Sequence, residues 1–180
     1  MKSSLIENYH KKLTPLSHSV WTNPIHFIAC GFGVGTFPFF PGTVATIAAI
    51  PLVVFLSRFS VATYLTVCIL LFCIGVVLCH ITNRDFGTDD HPAAVFDEIA
   101  TFPVAMLLVP CTWYFLLLAF LLFRFFDIIK PGPIGWVDRH VHGGFGVMLD
   151  DLMAALCAFT ILQAILFVTH CQSNLEMSPF

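Results

Sequence analysis

Four apolar stretches, at residues 43–57, 61–79, 99–123 and 152–169, leave this chain few ways to fold. The second and fourth hold 19 and 18 residues. As helices they would measure roughly 27–29 Å, against about 30 Å of hydrocarbon in a bilayer. At that depth a helix satisfies its own backbone hydrogen bonds, which irregular chain cannot do. With 58% hydrophobic and 11% charged residues and a mean hydropathy of +0.88, a chain of 180 residues carries more apolar surface than a small soluble globule can hide. The expected class is all-α: a multi-pass helical membrane protein, a helical bundle with cytosol-facing acidic loops.

The remaining composition narrows the possibilities. A net charge of -3 with no basic run gives no electrostatic footprint for nucleic acid, so no nucleic-acid partner is expected. The seven cysteines form no C-x-x-C pair and sit mainly in apolar runs, which reads as buried thiols. The first residues, "MKSSLIENYHKKLTPLSHS", lack the apolar core and cleavage site of a signal peptide. We therefore expect a polar N-terminal arm at residues 1–24, one helical membrane domain at 25–170 and a polar tail at 171–180.

Turn signals order the spans. Thr43 can cap the first helix after Pro41-Gly42, and Ser57, Arg58 and Ser60 mark a reversal into the second, making a helical hairpin. In the third stretch, Pro103 and Pro110 interrupt a helix by removing a donor and clashing one turn back. A single crossing would put the charged loops, 80–98 and 124–151, on opposite faces; two shorter helices turning near Pro110-Cys111-Thr112 would place them on one face. Lys2, Lys11, Lys12, Arg84, Arg124, Lys130 and Arg139 fall on that side and Arg58 on the other, which orients the loops to the cytosol.

Of eleven acids, nine fall between Asp85 and Asp151. Carboxylates this dense repel one another unless a divalent cation or basic groups neutralise them, and hard oxygen ligands favour magnesium, manganese or calcium. Asp97 and Glu98 enter the third apolar stretch and Asp127 leaves it. Asp138 is read in a glycine-rich turn, and Asp150 and Asp151 as opening the last helix. Asp127, in the last turn of a helix stopped by Pro131, needs a compensating cation. Arg124 and Lys130, three residues away on either side, can supply it, as can a metal. Gly143, Gly144 and Gly146 by themselves read as a plain loop; with Lys130, Arg139, His140 and His142 nearby they suggest a phosphate site. A second glycine segment, Gly31 to Thr46, fits neither a P-loop nor a Rossmann turn and reads as helix packing and turns. His80, His91, His140 and His142 lie near the acids, but no H-E-x-x-H pair makes zinc hydrolysis specific.

Three blocks in order, "GTFPFFPGTVATIAAIPL", "DHPAAVFDEIA" and "FRFFDIIKPGPIGWVDRHVHGGFGVMLDDLMAA", resemble the bacterial phosphatidylglycerophosphatase A family across about residues 25–170. The resemblance implies an all-helical, magnesium-dependent enzyme of the bacterial inner membrane that converts phosphatidylglycerophosphate to phosphatidylglycerol. Position by position it implicates His80, Asp97, Glu98, Arg124, Asp127, Lys130, Asp138, Arg139, His142, Asp150 and Asp151. Thr101 and Ala155 stand where the family pattern has glycine.

Within that set we expect Asp97, Glu98, Asp127, Asp150 and Asp151 as the pool of Mg²⁺ ligands, and Arg124, Lys130 and Arg139 on phosphate. Asp127, Asp138 and His142 are the expected catalytic groups. A covalent-histidine lipid phosphatase would need P-S-G-H, and a CDP-alcohol phosphotransferase D-G-x-x-A-R; both are absent. The principal alternative is an ion-coupled membrane carrier using the acidic cluster, since ionisable residues near a membrane often mark ion paths. A non-catalytic scaffold is a third reading.

Overall fold

The computed structural model describes residues 19–176, with side chains to Thr169. Residues 1–18 of the expected arm, and 177–180 of the expected tail, lie outside the described residues. A helical turn at 19–22 leads to α1 (Pro24–Ala29), a 3₁₀ turn (Val34–Thr36), α2 (Pro41–Leu56), α3 (Val61–Phe86), α4 (Phe96–Ala105), α5 (Trp113–Ile129), α6 (Pro133–His140) and α7 (Gly143–Glu176). No strand occurs among the described residues. The fold is all-α, as expected.

The hairpin of α2 and α3 forms with its reversal at 57–60, and Ser60 caps α3 by accepting from the Thr63 N–H at 3.3 Å. The cap of α2 is a correction. The helix begins at Pro41, so Thr43 lies inside its first turn; the N-cap is Phe40, whose side chain makes no capping bond. Pro41 explains this, because its fixed φ and missing N–H suit the first helical position.

The third apolar stretch is broken. α4 ends at Ala105, the chain passes through residues 106–112 without an α-helix, and α5 begins at Trp113. Pro103 sits inside α4, and its carbonyl also accepts the Tyr64 hydroxyl of α3 at 2.7 Å. This external donor helps satisfy backbone where the ladder stops.

Helix α7 is the central element, packing on α3, α4, α5 and α6. Its small residues Ala154, Ala155 and Ala158 are wholly buried, next to Leu162, Phe102 and Phe123. The Phe102 and Phe123 rings meet edge to face at 5.6 Å. Ala155 thus fits the core as a methyl group, and Thr101 is buried with its hydroxyl donating to the Asp97 carbonyl at 2.7 Å. Neither departure from glycine opens a gap or leaves a polar group unpaired.

Two helices, Val61–Phe86 and Gly143–Thr169, are long and apolar enough to cross a membrane, and Pro41–Leu56 is a shorter apolar helix. Leu65, Ile69, Leu70, Ile74 and Val77 of α3 and Leu117, Leu121 and Phe125 of α5 point outward. Apolar faces of that extent are unfavourable in water and favourable against lipid.

Candidate active site

Three chain segments bring the carboxylates together. Asp97 and Glu98 occupy the first turn of α4, where the helix dipole favours negative charge. Asp151 and Asp150 come from α7, and Asp127 from the end of α5. Asp97 and Asp151 are buried, at 6% and 4% exposure. One oxygen each of Asp97, Glu98 and Asp151 lie within 4.8 Å of one another. Asp151 Oδ2 and Glu98 Oε2 are buried with no hydrogen-bond partner. Buried carboxylate oxygens without donors are costly. Three oxygen donors converging around such orphaned atoms fit a hard divalent cation, and the trio can hold a metal ion.

Arg124 closes this cluster from α5. Its Nη1 lies 2.6 Å from Asp127 Oδ2 and 3.5 Å from Glu98 Oε1, with all three side chains only 13–15% exposed. The expected i,i+3 partnership of Arg124 with Asp127 is present. Lys130 is elsewhere. It adopts φ 45° as the C-cap of α5, which turns its side chain to Asp138, 2.5 Å away, and to Asp150. Lys130 therefore bridges α6 to α7 and does not compensate Asp127. Burial works against its ammonium, but the two carboxylates outweigh that and hold its pKa above the ordinary lysine value.

Around Lys130 lies a second group. Asp89, Asp90, Asp138, His142 and Asp150 line a cavity of about 30 Å³, room for water-sized groups. His80 and Arg139 are exposed at the ends of α3 and α6. His80 lies beside Gly143, at the N-terminus of α7. Asp89 and Asp90 were not among the expected site residues. Their signal was a pair of adjacent acids eight positions ahead of Asp97-Glu98, in a loop that a linear reading treats as solvated.

Two placements correct the sequence reading. Asp138 lies within α6, not in a turn, because Pro133 nucleates a helix after the Pro131-Gly132 break. Asp150 and Asp151 lie two turns into α7, not at its start, because the helix already begins at Gly143. Gly144 and Gly146 are helical packing positions, and Gly143 opens the helix in a left-handed conformation, φ 73°. A side chain at Gly144 would strike the Val76 carbonyl of α3, and one at Gly146 the Val141 carbonyl.

The family model for phosphatidylglycerophosphatase A matches residues 27–166. The chain belongs to the phosphatidylglycerophosphatase A family. It is 41% identical over 150 residues to phosphatidylglycerophosphatase A of Escherichia coli (strain K12), covering 83% of this chain and 86% of that protein. It is 40% identical over 153 residues to the phosphatidylglycerophosphatase A of Haemophilus influenzae, covering 84% and 94%. A putative phosphatidylinositol-3-phosphatase of Bacteroides thetaiotaomicron is 32% identical over 142 residues, covering 75% and 89%. No solved structure matches the chain.

The electrostatics predict a pH signature. Burial, then the neighbouring carboxylate of Asp127, pushes Glu98 from its ordinary 4.5 up to about 7, although a hydrogen bond with Asp97 and the charge of Arg124 oppose the rise. Burial and the charges of Glu98 and Asp151 push Asp97 well above the ordinary carboxylate range. An acid whose folded pKa is raised binds more protons folded than unfolded, so its stabilisation is full below the unfolded value and lost as pH rises. Without divalent cation, thermal stability is expected to fall between about pH 4.5 and 7. Saturating cation should flatten that slope, because binding to the ionised form grows as protons leave. Thermal midpoints across this range, with EDTA and with magnesium, check both parts.

Proposed function

We propose that this protein hydrolyses the terminal phosphomonoester of phosphatidylglycerophosphate to phosphatidylglycerol and phosphate, with magnesium as cofactor, at the cytosolic face of a bacterial inner membrane. The observation that carries this reading is the buried trio Asp97, Glu98 and Asp151 with its unpartnered oxygens, with Arg124 on Glu98 and Lys130 on the neighbouring Asp150, in a chain of the phosphatidylglycerophosphatase A family. Asp97, Glu98 and Asp151 would hold the magnesium, with Asp127 and Asp150 completing the acidic pool. When bound, the cation neutralises charge on phosphoryl oxygens as a Lewis acid.

The chain's own groups supply the rest. A lysine ammonium has three donors and Lys130 uses two on Asp138 and Asp150, so one remains for a phosphoryl oxygen. Arg139, exposed one residue from Asp138, can meet another, and Arg124 fixes the Glu98 and Asp127 oxygens that face the reacting group. Hydrolysis breaks the bond between phosphorus and the glycerol oxygen; water supplies the new oxygen on phosphorus, and the alcohol leaves with a proton. In this reading Asp127 takes the proton of the attacking water and His142 delivers one to the leaving oxygen, with Asp138 orienting Lys130. Positioning and charge neutralisation carry most of phosphoryl-transfer catalysis, as here. His80 lies beside Gly143, the first residue of α7. Facing lipid, the outward apolar sides of α3 and α5 keep the site at the depth of a phospholipid headgroup.

The test is phosphate release by purified protein in detergent from phosphatidylglycerophosphate, phosphatidylinositol 3-phosphate and glycerol 3-phosphate, with magnesium and with EDTA. Release from phosphatidylglycerophosphate should exceed the others and vanish with EDTA. Preference for the inositol lipid, or undiminished release in EDTA, would reject the substrate or the cofactor respectively.

A further inference from the structure

The segment Gly31–Thr46 reads in the sequence as packing and turns, yet one of its glycines touches the candidate site. Gly42 is buried in the first turn of α2. Its φ lies outside the left-handed region, so no backbone conformation there demands glycine. In a helix interior, glycine costs up to about 1 kcal/mol relative to alanine, so a conformationally unnecessary one needs another cause. Space is that cause. A methyl group at Gly42 would overlap Glu98 Oε1 and come within 3.1 Å of Glu98 Cδ and of Arg124 Nη1.

Glu98 is thus seated between the first turn of α2 and the guanidinium of Arg124. Its Oε1 faces Arg124 at 3.5 Å, while Oε2 is buried without a partner. The α2 helix packs along α4, the helix that carries Glu98, so the flexible end of the Glu98 side chain yields before the two backbones separate. Any side chain at position 42 must therefore push the Glu98 carboxylate out of the group that it forms with Asp97 and Asp151. Gly35 makes the same kind of contact with the Ala93 carbonyl, holding the chain just ahead of α4 against this segment.

We infer that Gly42 is a positioning residue: its missing side chain is the space that sets Glu98 beside Asp97 and Asp151, so that the three can share one cation. The consequence for activity rests on the phosphatase reading above; the steric coupling to Glu98 does not.

The experiment is Gly42→Ala in the full chain, in wild-type, Glu98→Ala and Glu98→Asp backgrounds, with thermal midpoints in EDTA and the magnesium concentration giving half-maximal stabilisation and phosphate release. Gly42→Ala should lower the midpoint in the wild-type background and leave it unchanged with Glu98→Ala, the non-additivity of two residues in contact. Half-maximal magnesium should rise on the order of tenfold, the size seen when a ligand's supporting contacts are lost. With Glu98→Asp, one methylene shorter, the rise should be smaller. If Gly42→Ala does not fold, Glu98→Ala should restore folding. Equal loss of stability in both backgrounds, failure to fold in both, or coupled stability with unshifted magnesium dependence would each overturn the inference. Absence of phosphate release from the wild type as well as from every variant, with the magnesium-stabilisation shift intact, would reject the phosphatase reading and leave the role of Gly42 standing.

Discussion

Asp151→Asn should cut cation-dependent phosphate release by on the order of 10³-fold while raising the thermal midpoint of the cation-free protein. The two effects have one origin. Asp151 is 4% exposed, faces the carboxylates of Asp97 and Glu98, and leaves Oδ2 without a donor. Asparagine keeps the shape and removes the charge, so like-charge repulsion and desolvation both ease. The gain should be about 1 kcal/mol or more, in line with buried charges replaced by neutral groups. Magnesium should then stabilise the variant little, because linkage gives stabilisation only in proportion to affinity for the folded state. Loss of activity alone would be ambiguous; loss of activity with a gain in metal-free stability separates a cation site from a structural role.

Arg124→Ala should act in the opposite sense on stability. Arg124 is the cation that faces both Glu98 and Asp127, and all three side chains are 13–15% exposed. Its removal leaves two carboxylates in a poorly solvated place with no compensating charge. Breaking such a pair from one side costs about 3–5 kcal/mol when burial is complete, and the residual exposure puts this site at the lower end. Arg124→Lys should recover only part: one nitrogen, Nη1, makes both contacts, and a lysine ammonium on its different stem is more strongly hydrated than a guanidinium and costs more to hold there. Chemical denaturation with and without magnesium measures the loss, and magnesium should offset part of it by neutralising Glu98. A variant as stable as wild type would show that the Arg124 contacts contribute nothing, as exposed ion pairs often do.

Much of the fold was legible because membrane helices announce themselves by length and apolarity. The reversal at Ser57–Ser60 and the break before Trp113 follow from capping residues and proline. The Arg124–Asp127 pair was readable because three residues along a helix is a fixed geometry. What escaped the sequence depends on tertiary approach or on a single backbone angle. Lys130 has the right spacing to meet Asp127, yet its left-handed φ carries it to Asp138 and Asp150. Gly143, Gly144 and Gly146 look like a loop by helix propensity, but α7 already starts at Gly143, and Gly143 and Gly144 let it lie close against α3. Asp90 reaches the site because the loop before α4 folds back beside α6 and α7. The glycine at 42 carries no local signal, since its reason is a carboxylate 56 positions later in the chain.

The most direct test of a cation-dependent phosphatase built on Asp97, Glu98 and Asp151 is a magnesium titration of wild type and Asp97→Asn. Phosphate release from phosphatidylglycerophosphate and the thermal midpoint would be followed on the same samples. In wild type, activity and stability should rise together over one concentration range; in the variant neither should respond over that range. Activity that saturates while stability stays flat, or an Asp97→Asn protein that retains wild-type magnesium dependence, would contradict the assignment of the cation to these three residues.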